Sequence, residues 1–277
     1  MAYSTFNFIG AMEVDSIYLV KEWYKINIIP YIIMKKRNAV CLITIQPSSV
    51  WTDFLKQFQN YDVFIVVDNL NTEFDGVIKI TNDECIQHGY IHSSYMPNSS
   101  LTFNEIIAWD RALYYFTNIN TSYDNVWFFE DDVFFYDENT LLNIDKRMPE
   151  SDILCKEKNP EPKEGEWNWF WPAIHINFPP PYFHSPICAV RMSNRLLSHL
   201  NEYVKQNKVL FFIEAMFPSI AHYNNLKYDS PAELGQIHWR KDWTIDELNH
   251  NQVFHPMKNM EQTREFRSLL MLQTDTE

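Results

Sequence analysis

The chain has 277 residues, of which 46% are apolar and 16% aromatic, so it can form one large domain with a buried core. Its formal net charge of −13 argues against nucleic-acid binding, because affinity for a phosphate backbone comes largely from lysine and arginine. With only 5 glycines, it contains neither the P-loop motif nor the dinucleotide-binding glycine motif.

The four cysteines lie far apart and form no C-x-x-C pair, so they indicate neither a zinc knuckle nor a redox motif. They are typical of small buried apolar residues in a reducing compartment. The N-terminus lacks the positive cluster of a secretion signal, and the apolar stretch at residues 26–34 is interrupted by Pro30. A membrane span needs about 20 residues, so we expect a cytoplasmic protein without a membrane span.

The first half of the chain alternates strand patterns with helical patterns after a predicted N-terminal appendage at residues 1–38. The predicted strands are Ala39–Ile45, Tyr61–Val67 and Gly76–Ile80. A short helix is predicted at Val50–Phe58, after a turn with capping residues. A longer helix is predicted from Phe103 to about Phe116, with Thr102 as its N-cap and Glu105 as the capping-box partner. This order predicts an α/β fold with a mostly parallel sheet covered on both faces.

Three consecutive carboxylates, Glu130, Asp131 and Asp132, interrupt the apolar and aromatic run from Val126 to Phe135. A buried parallel strand that ends in acids presents them at the carboxyl edge of the sheet, where open α/β sheets bind ligands. Adjacent carboxylates repel one another, and their oxygens suit Mg²⁺ or Mn²⁺. An acidic turn is the simpler alternative, but the apolar residues that follow the acids favour a metal site.

The second half begins with a predicted strand at Asp152–Cys155 and a polar loop at residues 156–166. An aromatic-rich segment at residues 167–183 follows, which fits either core packing or binding to the apolar face of a sugar ring. A strand at Ser185–Arg191 and a helix at Ser193–Tyr203 are predicted next.

Glu214 is the single acid in the apolar segment Phe211–Pro218. Burial of a lone carboxylate is costly unless the group is paired or its pKa is raised, and such groups concentrate at functional sites. Glu214 is therefore a candidate catalytic or substrate-binding residue.

The strand and helix order, together with the Glu-Asp-Asp triplet, resembles the nucleotide-sugar half of GT-A glycosyltransferases and their acidic "DxD" motif. The chain is particularly similar to the small GT-A enzymes of large DNA viruses of algae, over about residues 39–258. The resemblance implies a GT-A-like, mostly parallel central sheet flanked by helices. A Rossmann-like nucleotide half at 39–155 would join an acceptor half at 156–258, with a C-terminal tail at 259–277.

The family pattern also implies the ligands and the residues that hold them. It assigns Mn²⁺ or Mg²⁺ to Asp132 and Glu130, with His255 as a further ligand, and gives Lys258 the diphosphate oxygens of the donor. The residues expected to contact the nucleotide sugar are Glu130, Asp131, Asp68, Asp110, Arg111 and Lys258. For Asp110 and Arg111 a helix-surface ion pair is an equal alternative. The triplet departs from Asp-x-Asp, so the motif leaves the roles of the three acids open.

The expected reaction moves a sugar from a UDP-sugar donor, with UDP-xylose and UDP-glucose favoured, to a hydroxyl of a glycan acceptor. Glu214 is the expected general base of an inverting transfer, although a retaining enzyme could lack one. Trp239, Arg240 and Asp242 are candidates to line the acceptor cleft. If the protein is viral, the host cytoplasm is the expected location.

Three other functions share part of the pattern. A metal-dependent phosphoesterase would need further Asp or His ligands at several strand ends, where the N-terminal half offers few histidines besides His88 and His92. A nucleotidyltransferase would need a loop rich in glycine and arginine after the first strand, and residues 46–49 (Gln-Pro-Ser-Ser) do not provide one. A non-catalytic sugar-binding protein would need only the aromatic residues.

Overall fold

The computed structural model of the protein describes residues 37–91, 94–95, 102–103, 106–160 and 181–274. Most of the predicted N-terminal appendage lies outside the described residues. So do Glu105 and most of the aromatic-rich segment at 167–183.

The described strands, in chain order, are β1 Asn38–Thr44, β2 Asp62–Val67, β3 Ser94–Tyr95, β4 Thr102–Phe103, β5 Asn125–Glu130, β6 Ile153–Leu154, β7 Asn159–Pro160, β8 Phe183–His184, β9 Ala189–Ser193, β10 Tyr228–Asp229, β11 Gln236–Ile237 and β12 Phe254–His255. The described α-helices are α1 Ser49–Leu55, α2 Asn82–His88, α3 Ala108–Tyr114, α4 Glu138–Arg147, α5 Asn194–Asn207, α6 Ile213–Tyr223 and α7 Met260–Thr274. A π-helical turn at Tyr115–Ile119 continues α3, and 3₁₀ turns lie at Ala232–Gly235 and Ile245–Glu247.

Six of these strands form one sheet in the order β10-β6-β9-β5-β1-β2. Strand β1 is parallel to β2 and β5, and β6 is parallel to β10, whereas β9 runs antiparallel between β5 and β6. The result is a mostly parallel central sheet flanked by helices, which confirms the predicted fold class.

Both faces of the sheet are buried, as β1 shows. Ala39 and Cys41 face a core cluster that also contains residues of α3, α5 and α6. Val40 and Leu42 face a second cluster with residues of α1 and α4. Because side chains alternate across a strand, this continuous apolar run is what a strand covered on both faces requires.

The predicted helix at Phe103–Phe116 was wrong at its start. Thr102 and Phe103 form β4, and the helix begins at Ala108. The Asp110 carboxylate accepts a hydrogen bond of 2.8 Å from the main-chain N–H of Ile107, and this contact satisfies a donor at the true helix start. The helix therefore does have an N-cap followed three residues later by an acid. The pair is Ile107 and Asp110 instead of the predicted Thr102 and Glu105.

Two other predicted strands differ in extent. The segment Gly76–Ile80 contributes a single bridge, between Ile78 and Val66, instead of a strand. Strand β9 begins at Ala189, later than the predicted Ser185. Pro186 has no N–H to donate to a sheet, which is consistent with the late start.

Residues at the C-terminus, predicted as a tail, include the helix α7. Its Phe266 and Leu270 are buried in a third core cluster with Phe134, Trp243 and Phe254. Among the described residues, none of the helices combines the length and apolar character that a membrane crossing requires.

A buried ion pair joins the centre of the sheet to α4. Arg191 on β9 is fully buried, and its Nη1 lies 2.7 Å from Oδ1 of Asp145 on α4. The same carboxylate accepts hydrogen bonds from Tyr61 (2.7 Å) and from the indole of Trp127 on β5 (3.2 Å). Two main-chain carbonyls accept from the remaining terminal nitrogen of Arg191. Strands β5 and β9 are therefore tied to one carboxylate.

Replacing Asp145 with Ala should destabilise the fold strongly, because Arg191 would keep its buried charge without a counter-ion. Breaking one side of a buried ion pair costs about 3–5 kcal/mol. Urea unfolding followed by circular dichroism measures the loss. Asp53→Ala is the matched control, since Asp53 forms an exposed ion pair with Lys56, and such pairs contribute about 0–1 kcal/mol. Equal losses in the two variants would contradict a central role for Asp145.

Candidate functional site

The three acids lie where β5 ends. Glu130 is the last residue of the strand, and its main-chain N–H donates to the carbonyl of Cys188 at 2.9 Å. Asp131 and Asp132 form the turn that follows, which the N–H of Val133 closes by donating to the Glu130 carbonyl at 3.1 Å. The acids therefore stand at the carboxyl edge of the sheet, as the apolar run before them predicted.

Glu130 and Asp131 have different partners. The indole N–H of Trp109 donates to Oε1 of Glu130 at 2.8 Å. The hydroxyl of Thr44, at the end of β1, donates to the Asp131 carboxylate, and Trp51 donates to the Asp131 carbonyl at 2.7 Å. Asp131 is thus anchored to β1 and α1, and the three acids do not share one environment.

Asp132 and His255 meet although they are far apart in sequence. Nε2 of His255 lies 3.2 Å from Oδ1 of Asp132. The main chain brings them together: Phe134 and Phe254 exchange two hydrogen bonds of 2.8 Å, and the N–H of Met257 donates to the Asp132 carbonyl at 2.6 Å. The acid turn and the segment that carries His255 are therefore held together by backbone contacts.

The His255 ring is oriented as a metal-ligating histidine would be. Its Nδ1 lies 2.7 Å from the carbonyl oxygen of His238, and a carbonyl can only accept, so Nδ1 carries the proton. In the neutral ring Nε2 then presents its lone pair toward Asp132, an arrangement common in metal-ligating histidines. Oδ1 of Asp132 is buried and has no aligned hydrogen-bond donor among the described residues.

Cys188 also belongs to this group of possible metal ligands, although the sequence did not single it out. Glu130, Cys188 and His255 each offer one possible ligand atom, and these atoms lie within 4.8 Å of one another. Cys188 directly precedes β9, opposite Glu130. Its isolated position in the sequence gave no signal; only the pairing of β9 with β5 reveals it.

Glu214 lies in the first turn of α6, with its side chain partly buried. The main-chain N–H of Ser185 donates to its carbonyl at 3.0 Å. Burial, and to a lesser extent the negative charge of Glu130, raises the pKa of the Glu214 carboxyl to about 7, and His255 opposes the shift. The candidate catalytic acid therefore lies within electrostatic range of the two candidate metal ligands.

The remaining ionisable groups show an excess of negative charge. Burial and the charge of Asp132 raise the pKa of Glu130, against the effect of the Trp109 hydrogen bond. Burial lowers the pKa of His255, but the contact with Asp132, the hydrogen bond to the His238 carbonyl and the charge of Glu130 together outweigh burial, so the net shift is upward. Burial and the nearby carboxylates also raise the pKa of the Cys188 thiol. In each case the neighbouring carboxylates favour the more positively charged form, so an additional positive charge would stabilise the site.

Two of the expected donor-contact residues are buried. Arg111 donates to the Ile80 carbonyl at 2.9 Å, and its Nη1 lies 3.5 Å from Oδ1 of Asp68. Asp110 has no exposed surface, and burial raises its pKa to about 8. Neither forms the helix-surface ion pair considered for them. Asp68, at the end of β2, retains an accessible carboxylate with 28% exposure, and direct donor contacts stay a prediction for all three.

An open cavity of about 630 Å³ adjoins the ends of β1 and β2. Its lining is mostly polar, with the residues Gln46, Asn69, Asn71, Thr72, Glu73, Phe74 and Asp75. Gln46 is tied to Thr44, the residue that holds Asp131, because the Thr44 hydroxyl lies 3.0 Å from the Gln46 carbonyl. The cavity therefore lies on the β1 side of the acid turn.

Several exposed residues lie close to His255 in the structure or follow it in the chain. The N–H of His238 donates to the His255 carbonyl at 3.0 Å, and the next residue, Trp239, is 76% exposed. Arg240 and Asp242 are exposed as well. Lys258, three residues after His255, is exposed in the segment before α7, and its contact with a diphosphate stays a prediction.

No protein-family model and no curated protein matches the sequence. Among solved structures, the chain is similar to a 4-diphosphocytidyl-2C-methyl-D-erythritol synthase from Anaerococcus prevotii DSM 20548. The TM-score is 0.42 and the sequence identity 10%, over 86% of this chain and 99% of that chain. A similarity of this size identifies neither a family nor an activity, so the function has to be argued from the site.

Glu214→Gln should make the protein more stable at alkaline pH. The folded pKa of about 7 exceeds the ordinary value of 4.5, so between these values the folded state binds more protons than the unfolded chain. Stability from this group therefore falls as pH rises through that window, by at most about 3 kcal/mol. Glutamine removes the penalty.

Denaturant unfolding at pH 5 and pH 8 measures this effect. The advantage of Glu214→Gln over the wild type should be larger at pH 8. The exposed Glu265→Gln serves as the control and should show a pH-independent difference. An advantage of Glu214→Gln that is the same at both pH values would show that burial does not raise the pKa of Glu214.

Proposed function

We propose that the protein is a metal-dependent glycosyltransferase that moves a sugar from UDP to a hydroxyl of a glycan. One observation carries the proposal: the acid turn with Glu130 and Asp132 shares one partly buried, negatively charged site with His255 and Glu214, which come from distant parts of the chain. A group of possible metal ligands beside a carboxylate of raised pKa supports catalysis more than simple sugar binding.

The residues present fit a divalent cation. Asp132 Oδ1 is buried without an aligned donor among the described residues, and the His255 ring directs Nε2 toward it. Glu130 offers a third possible ligand, and its pKa is raised by burial and, to a lesser extent, by the charge of Asp132. The carboxylate oxygens suit Mn²⁺ as well as Mg²⁺. Such an ion would stabilise the negative charge of the leaving diphosphate as a Lewis acid.

The donor nucleotide is proposed to lie over the ends of β1 and β2. The amides of Gln46 and Asn69 line the cavity there and can donate to and accept from a nucleobase. Asp68 can accept from ribose hydroxyls through its accessible carboxylate. Asp131, held by Thr44, keeps the acid turn in place beside this cavity. Lys258 is proposed to contact the diphosphate from the opposite side.

Glu214 is proposed as the general base on the acceptor side. A carboxylate with a pKa of about 7 is well matched to accept the proton of an acceptor hydroxyl near neutral pH. The exposed ring of Trp239 can pack against the apolar face of an acceptor sugar. An inverting transfer from UDP-xylose or UDP-glucose is the form of the reaction that we propose.

Binding of UDP should depend on the metal. A ligand that binds only the folded state raises the melting temperature, so Mn²⁺ with UDP should raise it more than either alone. Asp132→Asn keeps the size of the side chain but removes its charge, and should reduce both UDP binding and turnover. Thermal shift and UDP-release assays measure the two effects, with the exposed Asp246→Asn as control. Equal UDP binding in excess EDTA would contradict the metal assignment.

Glu214→Gln should lower turnover by about 10²–10⁴ if Glu214 is the general base, because this is the usual contribution of such a group. Binding of UDP should change little, since the proposed nucleotide cavity lies at the ends of β1 and β2. The product from an α-linked donor should be β-linked, as NMR of the anomeric coupling reports. An α-linked product, or a variant that loses only acceptor affinity, would rule out this role.

A further inference from the structure

We infer that Cys188 makes this site a binding site for a thiophilic divalent ion, with Zn²⁺ as the biological example. Sγ of Cys188, a carboxylate oxygen of Glu130 and a ring nitrogen of His255 lie within 4.8 Å of one another. Sulfur, nitrogen and oxygen from three side chains form a ligand set that is typical of zinc. The preference of carboxylate clusters for Mn²⁺ or Mg²⁺ does not require the cysteine.

The strand pairing fixes Cys188 at this place. Phe129 is paired with Ala189 across β5 and β9, so the next pair outward is Glu130 with Cys188. The N–H of Glu130 donates to the Cys188 carbonyl at 2.9 Å, which confirms that pairing. Residues directly opposite each other in an antiparallel pair extend from the same face of the sheet. The backbone pairing of β5 and β9 therefore places the thiol and the carboxylate side by side, so their proximity does not depend on one particular side-chain rotamer.

The spacing requires only a modest contraction. Ligand atoms around a tetrahedral Zn²⁺ are about 3.3–3.8 Å apart, given bond lengths of about 2.0–2.3 Å. The present separations of up to 4.8 Å can close by small side-chain rotations. Asp132 is not among these three mutually close ligands, but its Oδ1 lies 3.2 Å from Nε2 of His255, so a rotation of its side chain could supply a fourth ligand.

Occupancy by Zn²⁺ would affect activity through coordination number. Four protein ligands leave a tetrahedral ion without an open position, as in structural zinc sites. Donor diphosphate oxygens could then no longer reach the ion, so Zn²⁺ would act as an inhibitor that competes with Mn²⁺. This inhibitory consequence rests on the proposed glycosyltransferase function, whereas the binding of Zn²⁺ does not.

Calorimetry and cobalt spectroscopy on the whole 277-residue chain test the binding. Wild-type protein should bind Zn²⁺ at least about tenfold more tightly than Mn²⁺. Cys188→Ser should reduce this ratio at least about tenfold, because even the loss of a residue outside the ligand shell typically lowers metal affinity about 10–100-fold. Co²⁺, used as a probe, should give a sulfur-to-cobalt charge-transfer band in the wild type and not in Cys188→Ser. Cys85→Ala, which removes a fully buried cysteine on α2, should retain both properties.

The outcomes separate the two proposals. The thiol is ruled out as a ligand if the wild type binds Zn²⁺ no more tightly than Mn²⁺, or if the sulfur-to-cobalt band persists in a folded Cys188→Ser. Neither result would contradict Mn²⁺-dependent transfer. Tight Zn²⁺ binding that needs Cys188, in a protein with no sugar transfer, would support this inference and remove the proposed function. If both hold, the Zn²⁺ concentration that halves transfer should rise at least about tenfold in Cys188→Ser.

Discussion

The buried contact between Arg191 and Asp145 is the interaction on which the site depends. Arg191 is paired with Trp127 across β9 and β5, and both side chains bond to the Asp145 carboxylate. That contact holds the register of the antiparallel pair, and three residues further along, the same register places Cys188 against Glu130. A slip of one residue would send the side chains of one strand to the opposite face. A charge pair inside the core thus positions ligand atoms at the edge of the sheet.

The site itself opposes folding. Burial raises the pKa of both the Glu130 and the Glu214 carboxyl. A raised pKa means that the ionised group destabilises the folded state. The apolar clusters on both faces of the sheet offset this cost. A bound cation would relieve it at the same place. Unfavourable electrostatics in an otherwise well-packed protein are typical of a site kept for a ligand.

Much of the central sheet could be predicted because its strands are buried on both faces. The run at Ala39–Ile45 is almost wholly apolar, and β1 is buried along nearly its whole length, so periodicity and burial agree there. The run at Tyr61–Val67 includes Asp62, and the edge strand β2 is fully buried only at Val66 and Val67, but both strands are present. The helix near Phe103 failed because Thr102 has the residue type of an N-cap but pairs in a strand instead. The contact between Asp110 and Ile107 then sets the start of the helix. Short-range capping signals are common in sequence, and tertiary contacts select which of them is used.

The sequence by itself determined that three carboxylates end a buried strand, because neighbours in the chain stay neighbours in the fold. It also singled out Glu214, since an acid in an apolar segment is conspicuous in any sequence. Only the tertiary structure decided that His255 reaches Asp132 and that Cys188 reaches Glu130. These contacts depend on strand order, antiparallel register and the hydrogen bonds between Phe134 and Phe254. Such pairings between distant segments leave no local pattern, because they follow from how the whole chain packs.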